Sequence, residues 1–71
     1  MRNRDVIEFY RPGSHHHLAV VDSSMRLEVG DLISIRKKTW KVVFVSYAVD
    51  HADDVIASRM RQNVTLEEAP D

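Results

Sequence analysis

Three consecutive histidines, His15, His16 and His17, form the most conspicuous cluster of chemistry-bearing residues in this chain. Alternate side chains of a strand share a face, so His15 and His17 point the same way, and His51 is the remaining histidine. Imidazole nitrogen binds zinc, nickel and copper. Because the chain has no cysteine, we expect solvated histidines beside a turn and no metal, with His15, His17 and His51 as the one conceivable ligand set.

A basic cluster surrounds the single tryptophan, with Arg36, Lys37, Lys38 and Lys41 flanking Trp40. Cationic side chains beside an aromatic ring can bind a phosphodiester backbone and stack a base. A tryptophan at the start of a core strand is more often buried, and a basic turn also protects a sheet edge from aggregation. These four basic residues are the predicted binding site, for a protein or for a nucleic acid.

Acidic residues gather later in the chain, at Asp50, Asp53 and Asp54 beside His51. Their spacing lacks the glycine and the terminal glutamate of a calcium loop, and helix capping explains them. No serine has a nucleophile-elbow context, and the two glycines form no phosphate-binding loop. The sequence therefore predicts neither an enzyme nor a cofactor.

Length and composition indicate one small domain spanning residues 1–71. The chain has 71 residues, a formal net charge of −1 and 44% apolar residues, which excludes a disordered tail and a generally basic nucleic-acid binder. The absence of cysteine, signal peptide and membrane-spanning run predicts a cytoplasmic protein. Basic residues dominate 26–49 and acidic residues dominate 50–71, which suits an ordinary solvated surface, or a bipolar one for docking or head-to-tail assembly.

Alternating β-branched and aromatic residues predict four strands, at residues 5–11, 16–22, 32–36 and 40–49. Arg11-Pro12-Gly13-Ser14 fits a type II turn, so the first two strands can pair as a hairpin. A turn at Lys37-Lys38, or a longer loop over 36–39, joins the third strand to the fourth.

The fourth strand is apolar on both faces. One face carries Trp40, Val42 and Phe44, and the other carries Val43, Val45, Tyr47 and Val49. A bulge that switches faces, cover on both sides, or an oligomer interface would each explain this pattern. We assign Val43, Val45 and Tyr47 to an oligomer or partner face. The predicted core consists of Trp40, Phe44, Ile33, Ile35, Leu18 and Val20.

Over residues 50–62 the apolar residues no longer alternate as they do in the preceding strand. Three apolar residues at i, i+4 and i+8 predict a short helix, namely Ala52, Ile56 and Met60. A strand over 53–61 stays open as the alternative. Residues 63–67 alternate as a closing strand, and residues 68–71 are expected to form a mobile tail. The predicted fold is mostly β, or α+β, with five strands and one short helix before the last strand.

Residues 27–49 resemble the central hairpin of small Src-homology-like barrels. Gly30-Asp31 leads into alternating apolar residues, a tight basic turn and Trp40-Lys41-Val42-Val43. The same pattern recurs in KOW-type and Tudor-like barrels and in small phage head–tail joining proteins. The resemblance covers about residues 27–66 and implies a five-stranded SH3-like barrel, but it transfers no functional residue.

These features predict a non-catalytic protein-binding or assembly module of bacterial or phage type. A head–tail joining component in the virion and a cytoplasmic inhibitor of a host enzyme are the two forms expected. The alternative is a small nucleic-acid-binding barrel that uses the basic hairpin tip. The expected partner is a protein or a second copy, or else a nucleic acid, but no membrane and no small-molecule substrate. A buried Trp40 would favour the protein-binding hypothesis.

Overall fold

The computed structural model describes residues 5–51 and 57–69, with the side chains of 50–59 left out. The described chain is mostly β-sheet, in five strands: β1 (Val6–Tyr10), β2 (His17–Asp22), β3 (Leu32–Ile35), β4 (Lys38–His51) and β5 (Ala57–Glu68). They form one curled sheet of order β2-β1-β5-β4-β3. β1 and β5 pair in parallel, and the other neighbours pair antiparallel. The predicted mostly-β class is therefore confirmed.

The predicted short helix is wrong wherever the structure describes it. β4 continues to His51, which pairs with Ala57 at the start of β5, while residues 52–56 lie outside the described part of the chain. Spacings of four and eight residues are even numbers, so they fit a strand, whose side chains repeat every two residues, as well as a helix. Met60 accordingly shares its strand face with Gln62.

The first turn matches its prediction. Ser14 N donates a hydrogen bond to Arg11 O at 3.1 Å, and Gly13 has a φ of +73°. Glycine adopts this left-handed conformation without the steric cost that a Cβ atom would bring. The turn therefore joins β1 to β2 as an antiparallel hairpin.

The second turn lies one residue earlier than the predicted turn at Lys37-Lys38, and it is shorter than the alternative loop over 36–39. Ile35 pairs with Lys38, which leaves Arg36 and Lys37 as the two turn residues, at φ values of 55° and 67°. Two consecutive left-handed residues are typical of the primed turns that match the twist of a hairpin. For side chains other than glycine, that conformation costs about 1–2 kcal/mol per residue.

A β-bulge in β4 decides which face each of its side chains occupies. Val42 pairs with Leu66 and Phe44 pairs with Thr65, so Val43 is the extra residue. Val42 is fully buried, whereas Phe44 is 59% exposed. Of the three explanations for the two-sided apolar strand, the bulge is thus present.

The core lies on one face of β1, β4 and β5. It consists of Ile7, Phe9, Trp40, Val42, Val64 and Leu66. Among the predicted core residues, Trp40 is buried, and Leu18, Ile33 and Ile35 pack against the cluster. Phe44 and Val20 were assigned to the core wrongly, since both are exposed. The bulge turns Phe44 outward, and Val20 pairs with Glu8 on the face opposite to Phe9.

The connection from β2 to β3 crosses between the two edges of the sheet, and the buried Gln62 holds it. Leu27 N donates to Gln62 Oε1 at 3.0 Å, and Gln62 Nε2 donates to Met25 O at 2.9 Å. The guanidinium of Arg26 lies 4.9 Å from the ring centroid of Tyr47. Leu27 packs against the core, so this crossing segment covers part of the sheet.

Candidate anion-binding site

Two adjoining cavities lie between the β1–β2 turn and the β3–β4 turn. The first, of about 170 Å³, is lined by Arg11, Leu18, Ile35, Arg36, Lys38 and Trp40. The second, of about 260 Å³, is lined by Arg11, Ser14, His16, His17, Leu18 and Arg36. Arg11, Leu18 and Arg36 border both, so the cavities form one continuous depression, which we call the basic cleft.

Two cations flank the indole of Trp40. The guanidinium carbon of Arg11 and Nζ of Lys38 each lie 5.7 Å from its ring centroid. Cation–π attraction at this distance is worth about 0.5–1 kcal/mol at exposed sites. Trp40 is only 3% exposed, so its ring serves as a wall of the cleft and as part of the core at once.

The indole N–H of Trp40 has no hydrogen-bond partner among the described residues, although its Nε1 is buried. A buried donor without an acceptor costs about 1–3 kcal/mol. Arg11 and Lys38, the two cations beside the ring, carry no acceptor atom that could satisfy this donor.

Cationic side chains dominate the lining of the basic cleft. None of the residues that line its two cavities is acidic. Lys38 Nζ lies 3.4 Å from Glu68 Oε2, with both side chains more than half exposed. Such exposed pairs stabilise by about 0–1 kcal/mol, so Lys38 remains available to a ligand.

A buried carboxylate fixes one rim of the cleft. The side chain of Glu8 is 8% exposed and its Oε1 accepts a hydrogen bond from Tyr10 OH at 2.7 Å. Nε2 of His17 lies 3.2 Å from the same oxygen, and Arg61 Nη1 lies 3.9 Å from Oε2. Burial, followed by the hydrogen bond to Glu8 and its negative charge, raises the pKa of Tyr10, against a lowering effect of Arg61. This cluster orients His17 at the rim.

The structure brings together two of the four residues of the predicted basic tip. Arg36 and Lys38 line the cleft, whereas Lys37 is an exposed turn residue. Lys41 follows Trp40 directly in β4 and therefore lies on the opposite face of the strand, paired with Leu32 of β3.

Sequence reasoning missed Arg11 and Glu8. Arg11 is separated from Arg36 by more than twenty residues along the chain, and only the order and curl of the strands place their turns side by side. Glu8 had a visible signal, since it interrupts an apolar strand beside Tyr10. Its partner His17 could be identified only from the register of the β1–β2 hairpin.

The predicted partner face is divided by the bulge. Val43 is the half-buried bulge residue, while Val45 packs against the core. Tyr47 pairs with the buried Gln62 and lies beneath Arg26. Binding of a partner by Val43, Val45 and Tyr47 stays a prediction.

The histidines show no arrangement of metal ligands in the described part of the chain. His15 and His16 are exposed, and His17 contacts Glu8. Among the residues whose side chains the structure describes, 5–49 and 60–69, no group of three or more His, Cys, Asp or Glu could hold a metal ion. The side chain of His51 lies outside the described residues.

No protein-family model, curated protein or solved structure matches this chain. In the portion that the structure describes, no helix is long and apolar enough to cross a membrane. Function is therefore inferred from the basic cleft itself.

Proposed function

We propose that this protein is a non-catalytic binding module that docks an acidic segment of a partner protein in the basic cleft. The observation that carries the proposal is the convergence of Arg11, Arg36 and Lys38, from two separate turns, on one cavity walled by Trp40. Cations held this close together repel one another, and an anionic ligand relieves that repulsion. The cleft is thus suited to a carboxylate-bearing ligand.

The walls of the cleft favour a peptide with mixed character. Leu18, Ile35 and Trp40 offer apolar surface within the same cavity that holds the cations. Burial of an apolar ligand side chain contributes about 25 cal/mol per Å². A segment in which an acidic residue neighbours an apolar one would therefore use both parts of the lining.

Nucleic acid is the second candidate ligand, because the same cations could neutralise phosphates. Base stacking requires an open aromatic face, and the ring of Trp40 is covered by Arg11 and Lys38. The cation-covered, buried indole supports a protein partner over a single-stranded nucleic acid.

The finer features of the proposal rest on the same surface. The five strands and the tight basic hairpin support a variant of the small Src-homology-like barrel. A docking module would serve as a phage head–tail joining component in the virion or as a cytoplasmic inhibitor of a host enzyme. Neither role requires a catalytic residue or a cofactor.

Fluorescence of the only tryptophan tests the proposal directly, since Trp40 lines the cleft. The protein is titrated with a peptide of alternating glutamate and leucine, with its glutamine counterpart, and with a single-stranded oligonucleotide. We expect saturable binding of the acidic peptide, weakened at least about tenfold, or 1.4 kcal/mol, by Arg11→Gln/Arg36→Gln. Lys41→Gln is the control, because it removes one positive charge from the opposite face of β4.

If Lys41→Gln lost half of the binding free energy that the double variant loses, the share of one charge in two, the attraction would be diffuse and the cleft would be overturned as the site. Preferential oligonucleotide binding, with a log–log salt slope of about −0.7 per neutralised phosphate, would replace the protein partner with a nucleic acid.

A further inference from the structure

We infer that the acidic segment docked in the basic cleft belongs to a second copy of this chain, at residues 50–56. This inference rests on the proposed function and names its partner. The sequence of the segment is Asp-His-Ala-Asp-Asp-Val-Ile, with three acidic residues and no lysine or arginine. Its acids suit the cations of the cleft, and the adjoining Val55 and Ile56 suit the apolar walls.

Strand β4 separates the cleft from this segment within one molecule. It has 14 residues, beginning at Lys38 in the cleft and ending at His51. At about 3.3 Å per residue, a strand of this length spans roughly 43 Å. The longest dimension of the whole chain is 45 Å. The basic cleft and the far end of the β4–β5 pair therefore lie at opposite ends of the molecule.

This separation shows whether residues 50–56 can reach the basic cleft of their own chain or only that of another molecule. His51 remains paired with Ala57 at the far end, so the five residues between them cannot span the length of the molecule. The segment therefore cannot enter the cleft of its own chain, whereas a second copy can supply it. Two antiparallel copies of a body measuring 45 × 23 × 20 Å would satisfy both contacts at once, in a closed pair.

Charge reversal tests the inference with complete chains. The cleft variant is Arg11→Glu/Arg36→Glu, and the segment variant is Asp53→Lys/Asp54→Lys. Sedimentation velocity at low salt should show association of the parent protein and monomers for either variant alone. A mixture of the two variants should associate again, and so should a single chain that carries all four substitutions. Circular dichroism confirms that each variant is folded.

The control variant is Lys41→Glu, which reverses a charge on the opposite face of β4 and should leave association unchanged. A parent protein that stays monomeric at millimolar concentration and low salt would overturn the inference. The docking function would survive that result if the acidic peptide still quenched or shifted Trp40 fluorescence. Association that persists in both charge-reversed variants would also overturn it, because the contact would then use another surface.

Discussion

Replacing Leu66 and Phe44 by alanine, one at a time, tests the bulge at Val43. Leu66 has no exposed surface and belongs to the core cluster. A leucine-to-alanine change in such a position costs about 2–5 kcal/mol, as lost burial plus the cavity left behind. We expect a loss of about 3 kcal/mol for Leu66→Ala, a large part of the stability of a domain this small.

Phe44 should behave differently, although it is the larger side chain. Since it is 59% exposed, it buries roughly two fifths of the ~200 Å² that a core phenylalanine removes from water. At about 25 cal/mol per Å² this corresponds to at most about 2 kcal/mol, and alanine keeps part of it. The expected loss for Phe44→Ala is therefore about 1 kcal/mol.

Urea unfolding measures both losses, with Trp40 fluorescence and far-ultraviolet circular dichroism as independent probes. The two variants should share the parent's m-value, because neither changes the surface exposed on unfolding by much. If Phe44→Ala cost as much as Leu66→Ala, Phe44 would lie in the core. The bulge, and with it the assignment of faces along β4, would then be wrong.

Three further outcomes follow from individual contacts. Lys37→Gly should raise stability by about 0.5–1 kcal/mol, because glycine relieves the left-handed φ at this turn; a loss of stability would contradict the primed turn. Gln62→Ala should cost about 2–4 kcal/mol in urea unfolding and should speed amide exchange at Leu27, since both hydrogen bonds to the crossing segment disappear; unchanged exchange would exclude that role. Because the pKa of Tyr10 is raised from 10.0, the unfolded chain loses this proton first, so stability should fall as the pH rises above that value. Tyr10→Phe should remove this alkaline loss, and an identical pH profile in the variant would refute it.

The first four strands could be predicted from the sequence because their signals, the alternation of apolar side chains and the Pro12-Gly13 turn, each involve only a few neighbouring residues. We call these signals local rules. They failed at 50–62, where even spacings fit both a helix and a strand. They also failed at Phe44, because a single inserted residue, Val43, reverses every later side chain in β4. A bulge has no dependable sequence signature, so the alternation of apolar residues could not locate this one.

The candidate site was predictable only where its residues are close in sequence. Arg36 and Lys38 belong to one hairpin, and their residue types were enough to predict a basic binding site there. Arg11 joins them through the order and curl of the sheet, which depends on contacts among all five strands. The unpartnered indole N–H of Trp40 is likewise a property of packing, which no spacing rule encodes.

The parallel pairing of β1 with β5 has a consequence for synthesis of the chain. Val6 pairs with Arg61 and Tyr10 with Thr65, so β1 is completed by a strand that is made only after β2, β3 and β4. Until β5 is made, the β1–β2 hairpin has one edge open, and Ile7 and Phe9 lack the part of the core cluster that β5 supplies. Folding to the complete sheet must wait for β5, and such sequence-distant pairing slows it. Until then, the chain presents an apolar strand edge that is prone to aggregation. Chaperone binding or rapid folding would protect it.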